Sequence, residues 1–377
     1  MGTEPAEASG EGTVPFGVAV IGCGNISKQY LSNLTRFPDV RVLFCADLDL
    51  ERAKTQAAAY GVPASGSVQQ ALEQPDVQLV VNLTIPAAHA EVAAAAIAAG
   101  KHVWNEKPLA PDVAAGRALL EQADKAGLRV GCAPDTVLGA GIQSARRLIA
   151  SGAIGTPVSA LTLLQGPGPE SWHPDPEFLF AKGAGPLFDL GPYYLSTLAT
   201  LFGPATRVAA VGRRTRDARV IGSGPRAGTE FSVQVPTYIS ALAEYAGGEA
   251  ATMLFSWESP LGRHGFVEIT GTEATLAVPD PNRFDGDLRL RRAGDEEWTV
   301  IPSEGAAAGR GSGVVDMVRS IRRGQPHRAS GEIAQHVLEL MTAIERSADD
   351  SDFVPVESGF EQPDALPVDW DPYAADA

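Results

Sequence analysis

Lys107 belongs to the motif Glu106-Lys107-Pro108, which directly follows a short apolar run, His102–Asn105. An ammonium group stabilises the negative charge that develops on an alcohol oxygen when its proton leaves. The apolar run predicts a strand of a parallel sheet, and such folds bind their ligands at the carboxyl ends of the strands. We therefore interpret Lys107 as a catalytic residue.

Asp189 and Tyr193 lie four residues apart, after a glycine-rich run at 183–186. Oxidation of a secondary alcohol requires a hydride acceptor, a base for the hydroxyl proton and a charge that stabilises the alkoxide. We expect Tyr193 and Lys107 to supply the last two, because a nearby ammonium lowers the pKa of a phenol. Asp189 is expected on the same side of a helix, where it positions the lysine or binds a substrate hydroxyl. Tyr194 is the alternative acid or base.

Gly22 and Gly24 begin a loop between the apolar run FGVAVI, residues 16–21, and a helix predicted from about Ile26. The loop has the first two glycines of G-x-G-x-x-G, with Ser27 in the third place. Between a strand and a helix, free backbone N–H groups and the helix N-terminus hold a pyrophosphate. The residues predicted to contact a dinucleotide here are Gly22, Gly24, Asn25 and Ile26.

Asp47 lies 23 residues after Gly24, at the end of a second predicted strand, residues 40–46. A carboxylate in this position accepts hydrogen bonds from a ribose hydroxyl and repels the 2′-phosphate of NADP. The predicted cofactor is therefore NAD, with NADP disfavoured. Arg52 is the nearest cation that would offset this repulsion, and we expect it to face solvent.

Strands alternate with helices up to about residue 133, which predicts a doubly wound parallel sheet of the Rossmann type. Beyond Asp135 the runs become longer and alternate in polarity, as in 158–164, 207–213 and 239–246. They predict a C-terminal domain built on a large open antiparallel sheet. The expected divisions are a flexible N-terminus (1–14), an NAD-binding domain (15–134), a substrate-binding and oligomerisation domain (135–360) and an acidic tail (361–377).

The charge of the chain is −16, with 30 Lys and Arg residues against 46 Asp and Glu residues. Such a chain repels nucleic-acid phosphates and anionic membrane surfaces on average.

The N-terminus lacks the basic start and apolar stretch of a signal peptide, so a cytoplasmic location is expected. The histidines and cysteines show no metal-binding spacing, and no metal is predicted. An open sheet face is expected to be buried by self-association into a homodimer or homotetramer.

The Glu-Lys-Pro motif, the loop 82–86 and His89 together resemble the Gfo/Idh/MocA oxidoreductase family, and the resemblance covers most of the chain. It implies that Lys107 is the catalytic lysine. The run 183–193 resembles a second signature of that family, D-x-G-x-H, with Tyr193 in place of the histidine. Some branches of the family carry tyrosine there, so loss of activity is not implied. The further cofactor contacts that we expect are Thr84, Pro86, His89, Glu106 and Lys107.

The substrate loops of that family fall near Asp135 and near Trp172-His173. Trp172 is expected either to stack under a sugar ring or only to pack, and His173 either to bind a hydroxyl or to face solvent. The residues predicted to contact substrate are Lys107, Asp135, Trp172, His173, Asp189 and Tyr193.

The sequence thus predicts an NAD-dependent oxidoreductase that acts on a secondary alcohol or ketone of a sugar, glycoside or cyclitol. Two alternatives stay open. One is a lyase or glycoside-cleaving enzyme that uses bound NAD transiently. The other is an NAD-binding regulator without turnover.

Overall fold

Six parallel strands form the sheet of the first part of the chain, in the order β3-β2-β1-β4-β5-β6. The computed structural model describes residues 14–306 and 308–376, so the predicted flexible N-terminus falls almost entirely outside them. The elements of this part are β1 (Phe16–Ile21), α1 (Ser27–Leu34), β2 (Val40–Ala46), α2 (Leu50–Tyr60), β3 (Ala64–Gly66), α3 (Val68–Leu72), β4 (Leu79–Asn82), α4 (His89–Ala98), β5 (His102–Asn105), α5 (Val113–Lys125) and β6 (Val130–Cys132).

The carboxyl ends of the central strands are aligned. Ile21 pairs with Ala46 on one side and with Asn82 on the other. Asn82 in turn pairs with Asn105, and Asn105 with Cys132. Neighbouring strands lie about 4.8 Å apart. The loops that carry the two glycines, the acidic residue and the lysine motif therefore leave the sheet side by side.

The second sheet has nine strands, in the order β16-β15-β14-β13-β7-β12-β11-β8-β17. Its elements, with a separate hairpin of β9 and β10, are α6 (Ala140–Ala150), β7 (Pro157–Pro167), α7 (Gly185–Phe202), β8 (Ala205–Arg213), β9 (Ala218–Val220), β10 (Glu230–Ser232), β11 (Tyr238–Tyr245), β12 (Ala250–Ser256), β13 (Glu258–Gly271), β14 (Ala274–Val278), β15 (Leu288–Arg292), β16 (Thr299–Ile301), α8 (Ser312–Arg323), α9 (Gly331–Asp350) and β17 (Val354–Pro355).

The predicted fold class is confirmed, with one refinement of the second sheet. Strands β7 and β12 run parallel to each other, so this sheet is mixed and mostly antiparallel. Helices α7 and α9 pack on one of its faces. The opposite face carries apolar side chains that stay partly exposed: Leu161 at 38%, Leu242 at 40% and Val211 at 49%.

Helix α8 lies far along the chain but packs against the first sheet. Its residues Val314, Met317 and Val318 share a buried apolar cluster with Trp104 of β5. Arg319, on the same helix, donates hydrogen bonds to the carboxylate of Asp39, a residue just before β2. The predicted second domain, 135–360, therefore contains a helix that contributes to the core of the first.

The final segment also returns to the first domain. Leu366 is buried in the cluster that α8 completes, and Trp370 packs against it. Arg319 donates to the backbone oxygens of Asp371 and Ala374. Residues 361–376 thus form a packed strap without helix or strand. Within the described ranges, no helix is both long and apolar enough to cross a membrane.

Candidate active site

The glycine loop leaves an open cradle at the start of α1. Gly22 has a φ of +94°, and a Cβ there would lie 2.5 Å from the Leu83 carbonyl, so glycine is required. A Cβ on Gly24 would meet no atom within 4 Å. The N–H groups of Gly24, Asn25 and Ile26 make no hydrogen bond within the part of the chain that the structure describes. Unpaired donors around an open space at a helix N-terminus fit a pyrophosphate.

Ser27 replaces the third glycine without disturbing this cradle. Its side chain is fully buried, and its hydroxyl donates a hydrogen bond of 2.7 Å to the Gly24 carbonyl oxygen. The serine therefore tightens the turn from beneath. This contact explains why a chain that departs from the glycine pattern retains the loop geometry.

Asp47 is joined to the glycine loop. Its Oδ2 accepts a hydrogen bond of 2.7 Å from the Cys23 N–H, and its Oδ1 accepts one of 2.9 Å from the Asp49 N–H. Arg52 is half exposed, but one of its guanidinium nitrogens lies 3.5 Å from Asp47 Oδ1. The carboxylate is thus fixed beside the cradle, with a cation nearer to it than the sequence indicated.

Two buried asparagines tie the loops after β4 and β5 together. Asn82 Nδ2 donates to Asn105 Oδ1 at 2.8 Å, and Asn105 Nδ2 donates to the Leu109 carbonyl at 3.0 Å. The Thr84 hydroxyl donates to Asn82 Oδ1 at 2.7 Å. Pro86 follows on the exposed surface, at the start of a short 3-10 helix. These bonds hold the loop that contains Lys107 against the loop beside the cofactor cradle.

His89 supports these loops, and its ring is not free for a cofactor. Its Nδ1 lies 2.6 Å from the Pro108 carbonyl oxygen, and its Nε2 lies 3.1 Å from that of Thr84. The side chain is buried. We expected a cofactor contact from His89, but both ring nitrogens are occupied by backbone oxygens.

Glu106 is likewise engaged by protein donors. Its Oε1 accepts a hydrogen bond of 2.9 Å from the Tyr30 hydroxyl of α1, and its Oε2 accepts one of 3.0 Å from the Lys107 N–H. Burial and the Glu106 charge raise the pKa of Tyr30 well above its ordinary value. Glu106 therefore positions Lys107 and α1, and the expected contact of this carboxylate with a cofactor stays a prediction.

Lys107 and Asp189 form a close ion pair. Lys107 Nζ donates to Asp189 Oδ1 at 3.1 Å and to the Asp189 backbone oxygen at 2.6 Å. It also lies 5.6 Å from the centroid of the Tyr193 ring. Burial alone would lower the pKa of Lys107, but Asp189, Tyr193 and Glu106 together hold this pKa above its ordinary value. Lys107 is therefore an ammonium at neutral pH, suited to stabilising an anion and unsuited to accepting a proton.

The hydroxyl of Tyr193 is bound by a residue that we did not predict, Arg310. Arg310 Nη2 donates to Tyr193 Oη at 3.1 Å and to Asn282 Oδ1 at 3.1 Å. Arg310 and Tyr193 are 117 residues apart in sequence. The one local signal is the pair of glycines that flank Arg310 just before a helix, and this pattern is too common to identify a site.

Asp135 lies beneath Arg310, away from open space. Its Oδ2 accepts hydrogen bonds from the N–H groups of Gly311 at 2.7 Å and Gly313 at 3.3 Å, where α8 begins. Its Oδ1 is 3.6 Å from Arg310 Nη1. Gly311 has a φ of +97°, a left-handed conformation that favours glycine. The expected substrate contact is not possible here, because Asp135 is fully buried.

Tyr194 faces away from these charges. Its hydroxyl oxygen accepts a hydrogen bond of 2.8 Å from the Gly265 N–H on β13, and its ring packs edge-on against Phe255. Burial raises the pKa of Tyr194. Of the two adjacent tyrosines, Tyr193 is therefore the one that faces Lys107.

Trp172 and His173 lie together on an exposed segment before α7. Their ring centroids are 5.5 Å apart, and the His173 ring also packs edge-on against Phe178 at 5.4 Å. Trp172 is 68% exposed. Among the described residues, this pair makes no hydrogen bond or ring contact with Lys107 or Tyr193. The structure thus places it outside the cluster around Tyr193.

Two family models match the chain. Residues 16–133 match an oxidoreductase family with an NAD-binding Rossmann fold, and residues 142–277 match the C-terminal domain of the Gfo/Idh/MocA proteins. Together they span more than half of the sequence.

Characterised proteins are similar over most of this chain. The trans-1,2-dihydrobenzene-1,2-diol dehydrogenase of Sus scrofa is 26% identical over 75% of this chain and 79% of its own length. The dTDP-3,4-didehydro-2,6-dideoxy-alpha-D-glucose 3-reductase of Streptomyces violaceoruber is 26% identical over 88% of this chain and 95% of its own. A levoglucosan dehydrogenase, solved with NADH and L-sorbose, superposes with a TM-score of 0.78 at 24% identity, covering 92% of this chain and all of that one.

Proposed function

Because this chain belongs to the Gfo/Idh/MocA family of NAD-binding oxidoreductases, we propose that it transfers hydride between NAD and a secondary alcohol or ketone of a sugar, glycoside or cyclitol. The observation that carries this proposal is the meeting of Lys107, Asp189 and Tyr193 beside the glycine loop. The activities of two relatives, a diol dehydrogenase and a nucleotide-sugar reductase, support the substrate class.

The cradle and Asp47 would hold the cofactor. When bound, NAD would accept the hydride that leaves the carbon carrying the hydroxyl group. The N–H groups of Gly24, Asn25 and Ile26 would bind the pyrophosphate, and Asp47 would accept hydrogen bonds from a ribose hydroxyl. Since the Asp47 carboxylate would repel a 2′-phosphate, we propose NAD in preference to NADP.

The side chains divide the remaining chemistry between them. In oxidation, the substrate carbon would lose a hydride to bound NAD, the phenolate form of Tyr193 would take the hydroxyl proton, and the C–O bond would become a carbonyl. The Lys107 ammonium stabilises the oxygen while negative charge develops on it. Asp189 holds Lys107 in place through the ion pair. In reduction the same proton returns from Tyr193 to the oxygen.

A screen for NADH absorbance tests the proposed reaction. Monosaccharides, glycosides and inositols are offered with NAD, and in parallel with NADP, at alkaline pH, which favours release of the hydroxyl proton. We expect one of these classes to give NADH in proportion to product. Conversion of a substrate without net NADH would contradict a net dehydrogenase, and so would NAD binding with no turnover of any compound.

The adjacent tyrosines provide a matched pair for assigning the acid or base. Tyr193→Phe removes the hydroxyl that faces Lys107, and we expect turnover to fall by about 100-fold or more. Tyr194→Phe removes a hydroxyl that accepts from Gly265, and we expect turnover to stay within about threefold of wild type. The reverse ranking of the two variants would assign the role to Tyr194.

We also propose that Trp172 forms an apolar platform for a sugar ring at the outer rim of the site. Its exposed indole, held edge-on against His173, supports this role. Trp172→Ala would then raise KM several-fold with little change in kcat. An unchanged KM would leave Trp172 with packing alone.

A second copy of the chain is proposed to cover the open face of the nine-stranded sheet. Leu161, Val211 and Leu242 lie on three different strands of this face and are 38 to 49% exposed. Leu242 is opposite Thr252, and Thr252 is opposite Leu161, so these side chains point to the same side. Large apolar side chains exposed together on one face of a folded domain favour self-association.

A further inference from the structure

Arg310 is held between Tyr193 and Asp135 with only 9% of its surface exposed. Its guanidinium carbon lies 5.2 Å from the centroid of the Tyr193 ring, and its Nη2 is 3.1 Å from Tyr193 Oη. A guanidinium group has no acceptor, so the phenolic oxygen must accept this hydrogen bond. The hydrogen of the phenol is then left for another partner, and within the described residues it has none.

We propose that Arg310 is a catalytic residue, which stabilises the phenolate of Tyr193 and orients its hydroxyl hydrogen toward the substrate oxygen. This inference rests on the proposed function, in which Tyr193 exchanges the proton. It adds a second cation to the predicted pair of lysine and tyrosine.

The other charges around Tyr193 leave this task to Arg310. Lys107 Nζ is bound to Asp189 by two short contacts and approaches the ring of Tyr193, whereas Arg310 contacts its oxygen. Burial, the largest influence, holds the pKa of Tyr193 above its ordinary value, although Lys107 and Arg310 lower it; Glu106 and Asp189 add to the rise. The ammonium of Lys107 therefore does not bring the phenol below its ordinary pKa, contrary to what we had expected from the sequence. Of the two cations, Arg310 is the one that donates a hydrogen bond to the atom that gains the charge, where a charge-assisted bond is strongest.

Asp135 is the positioning residue for Arg310. The Asp135 carboxylate is anchored by the N–H groups of Gly311 and Gly313, and its Oδ1 faces Arg310 Nη1 at 3.6 Å. Both of these facing atoms are buried without a hydrogen-bond partner among the described residues. The ion pair therefore fixes the guanidinium at the first turn of α8 and turns its Nη2 toward Tyr193.

A spectroscopic titration tests Arg310 without requiring turnover. Tyrosinate formation is followed by ultraviolet difference absorbance in the NAD-bound protein, and Tyr193→Phe identifies the step that belongs to Tyr193. In Arg310→Gln we expect this step to move upward by about one to two pH units. Arg283→Gln removes an exposed arginine from the neighbouring loop and is expected to leave the step in place.

Equal midpoints in wild type and in folded Arg310→Gln would overturn the proposal. So would the absence of a Tyr193 step from wild type up to the pH at which the protein unfolds. Circular dichroism checks the fold of each variant. Should Arg310→Gln not fold, Arg310→Lys takes its place, because it keeps a cation but loses the planar guanidinium group. A Tyr193 titration midpoint equal to that of wild type in this variant overturns the proposal as well.

A double-mutant cycle provides the kinetic test with the substrate found in the screen. Arg310→Gln is expected to lower kcat about 10- to 100-fold in wild type and less than about threefold in the Tyr193→Phe background. If the fold-decrease in kcat of the double variant equals the product of the two single decreases, Arg310 acts independently of Tyr193, which contradicts the proposal. If the screen yields no substrate, the proposed reaction fails, while the titration still decides whether Arg310 controls Tyr193.

Discussion

At the scale of single residues, the local surroundings decide what each charged group in the site can do. Asp189 keeps Lys107 protonated, and a protonated amine donates to an oxygen but cannot remove a proton. Arg310 donates to Tyr193, which leaves the phenol as the group that can exchange a proton. In the reaction that we propose, acid–base chemistry and charge stabilisation would thus be divided between neighbouring side chains.

Lys107→Met tests the ammonium directly. We expect kcat to fall about 100- to 1000-fold, because a stabilising charge is lost where the alkoxide forms. The dissociation constant for NADH should stay within about threefold, because the cradle is formed by backbone groups of another loop. The control is Lys101→Met. It removes a buried lysine that lies just before β5 and donates to the Gln74 carbonyl, and this variant should keep its activity. Full activity of Lys107→Met would exclude this role.

Asp47→Ser tests the choice between the two dinucleotides. We expect the ratio of NADPH affinity to NADH affinity to rise about tenfold or more, since a repelling carboxylate is removed and Arg52 is freed to meet a phosphate. Dissociation constants for NADH and NADPH are measured by fluorescence. Asp49→Ser changes another partner of Arg52 and keeps a good helix cap, so it serves as the control. An unchanged ratio in Asp47→Ser would remove Asp47 from cofactor selection.

At the scale of elements, a buried charge cluster fixes the segment that leads to α7. Arg219 of β9 donates to Glu170 at 2.5 Å and to Glu258 of β13 at 2.6 Å. Burial alone would raise the pKa of Glu258, but hydrogen bonds from Thr237 and Arg219 hold this pKa below its ordinary value. The cluster therefore joins the hairpin, the long strand and the segment before Trp172, and its link to the long strand is an ion pair only while Glu258 is ionised.

This cluster predicts a dependence of stability on pH. A carboxyl whose pKa is lower in the folded than in the unfolded protein stabilises the fold above its unfolded value of about 4.3. That contribution is lost as the pH falls through the folded value. We expect the free energy of unfolding in urea to fall more steeply between about pH 5 and pH 3 in wild type than in Glu258→Gln.

Glu297→Gln is the control for this measurement, because Glu297 is exposed and should leave the pH dependence as in wild type. Parallel curves for wild type and Glu258→Gln would contradict the prediction.

At the scale of the whole molecule, the two sheets have different relations to solvent. The parallel sheet is covered on both faces, because α8 and the C-terminal strap complete one side and the other continues into the core of the second domain. In the part of the chain that the structure describes, helices cover the nine-stranded sheet on one face alone. Its other face carries the exposed apolar side chains on which we propose that a second copy binds.

Leu161→Glu combined with Leu242→Glu tests that interface. Two charges on the open face should convert the assembly into monomers, because burial of unpaired carboxylates is costly. The mass in solution is measured by sedimentation equilibrium. Val220→Glu places a charge at a half-exposed site on the separate hairpin and should leave the mass unchanged. A wild-type monomer, or an unchanged mass in the double variant, would contradict self-association through this face.

Much of this protein is encoded in local sequence. The alternation of strands and helices, the glycine loop and the spacing of Asp189 and Tyr193 all depend on periodicities of a few residues, which fix the face on which a side chain lies. The carboxyl ends of parallel strands then meet at one edge. For that reason the cradle and the lysine motif could be placed beside each other from the sequence.

Only the tertiary structure decided which distant groups meet these residues. The parallel pairing of β7 with β12 has the same alternating pattern as an antiparallel one, so the sequence does not distinguish them. The return of α8 brings Arg310 to Tyr193 across 117 residues and buries Asp135. An amphipathic pattern shows that a helix has a partner surface without showing which surface it is. The polarity of a residue alone likewise does not tell a substrate contact, expected of Asp135, from the support of another side chain.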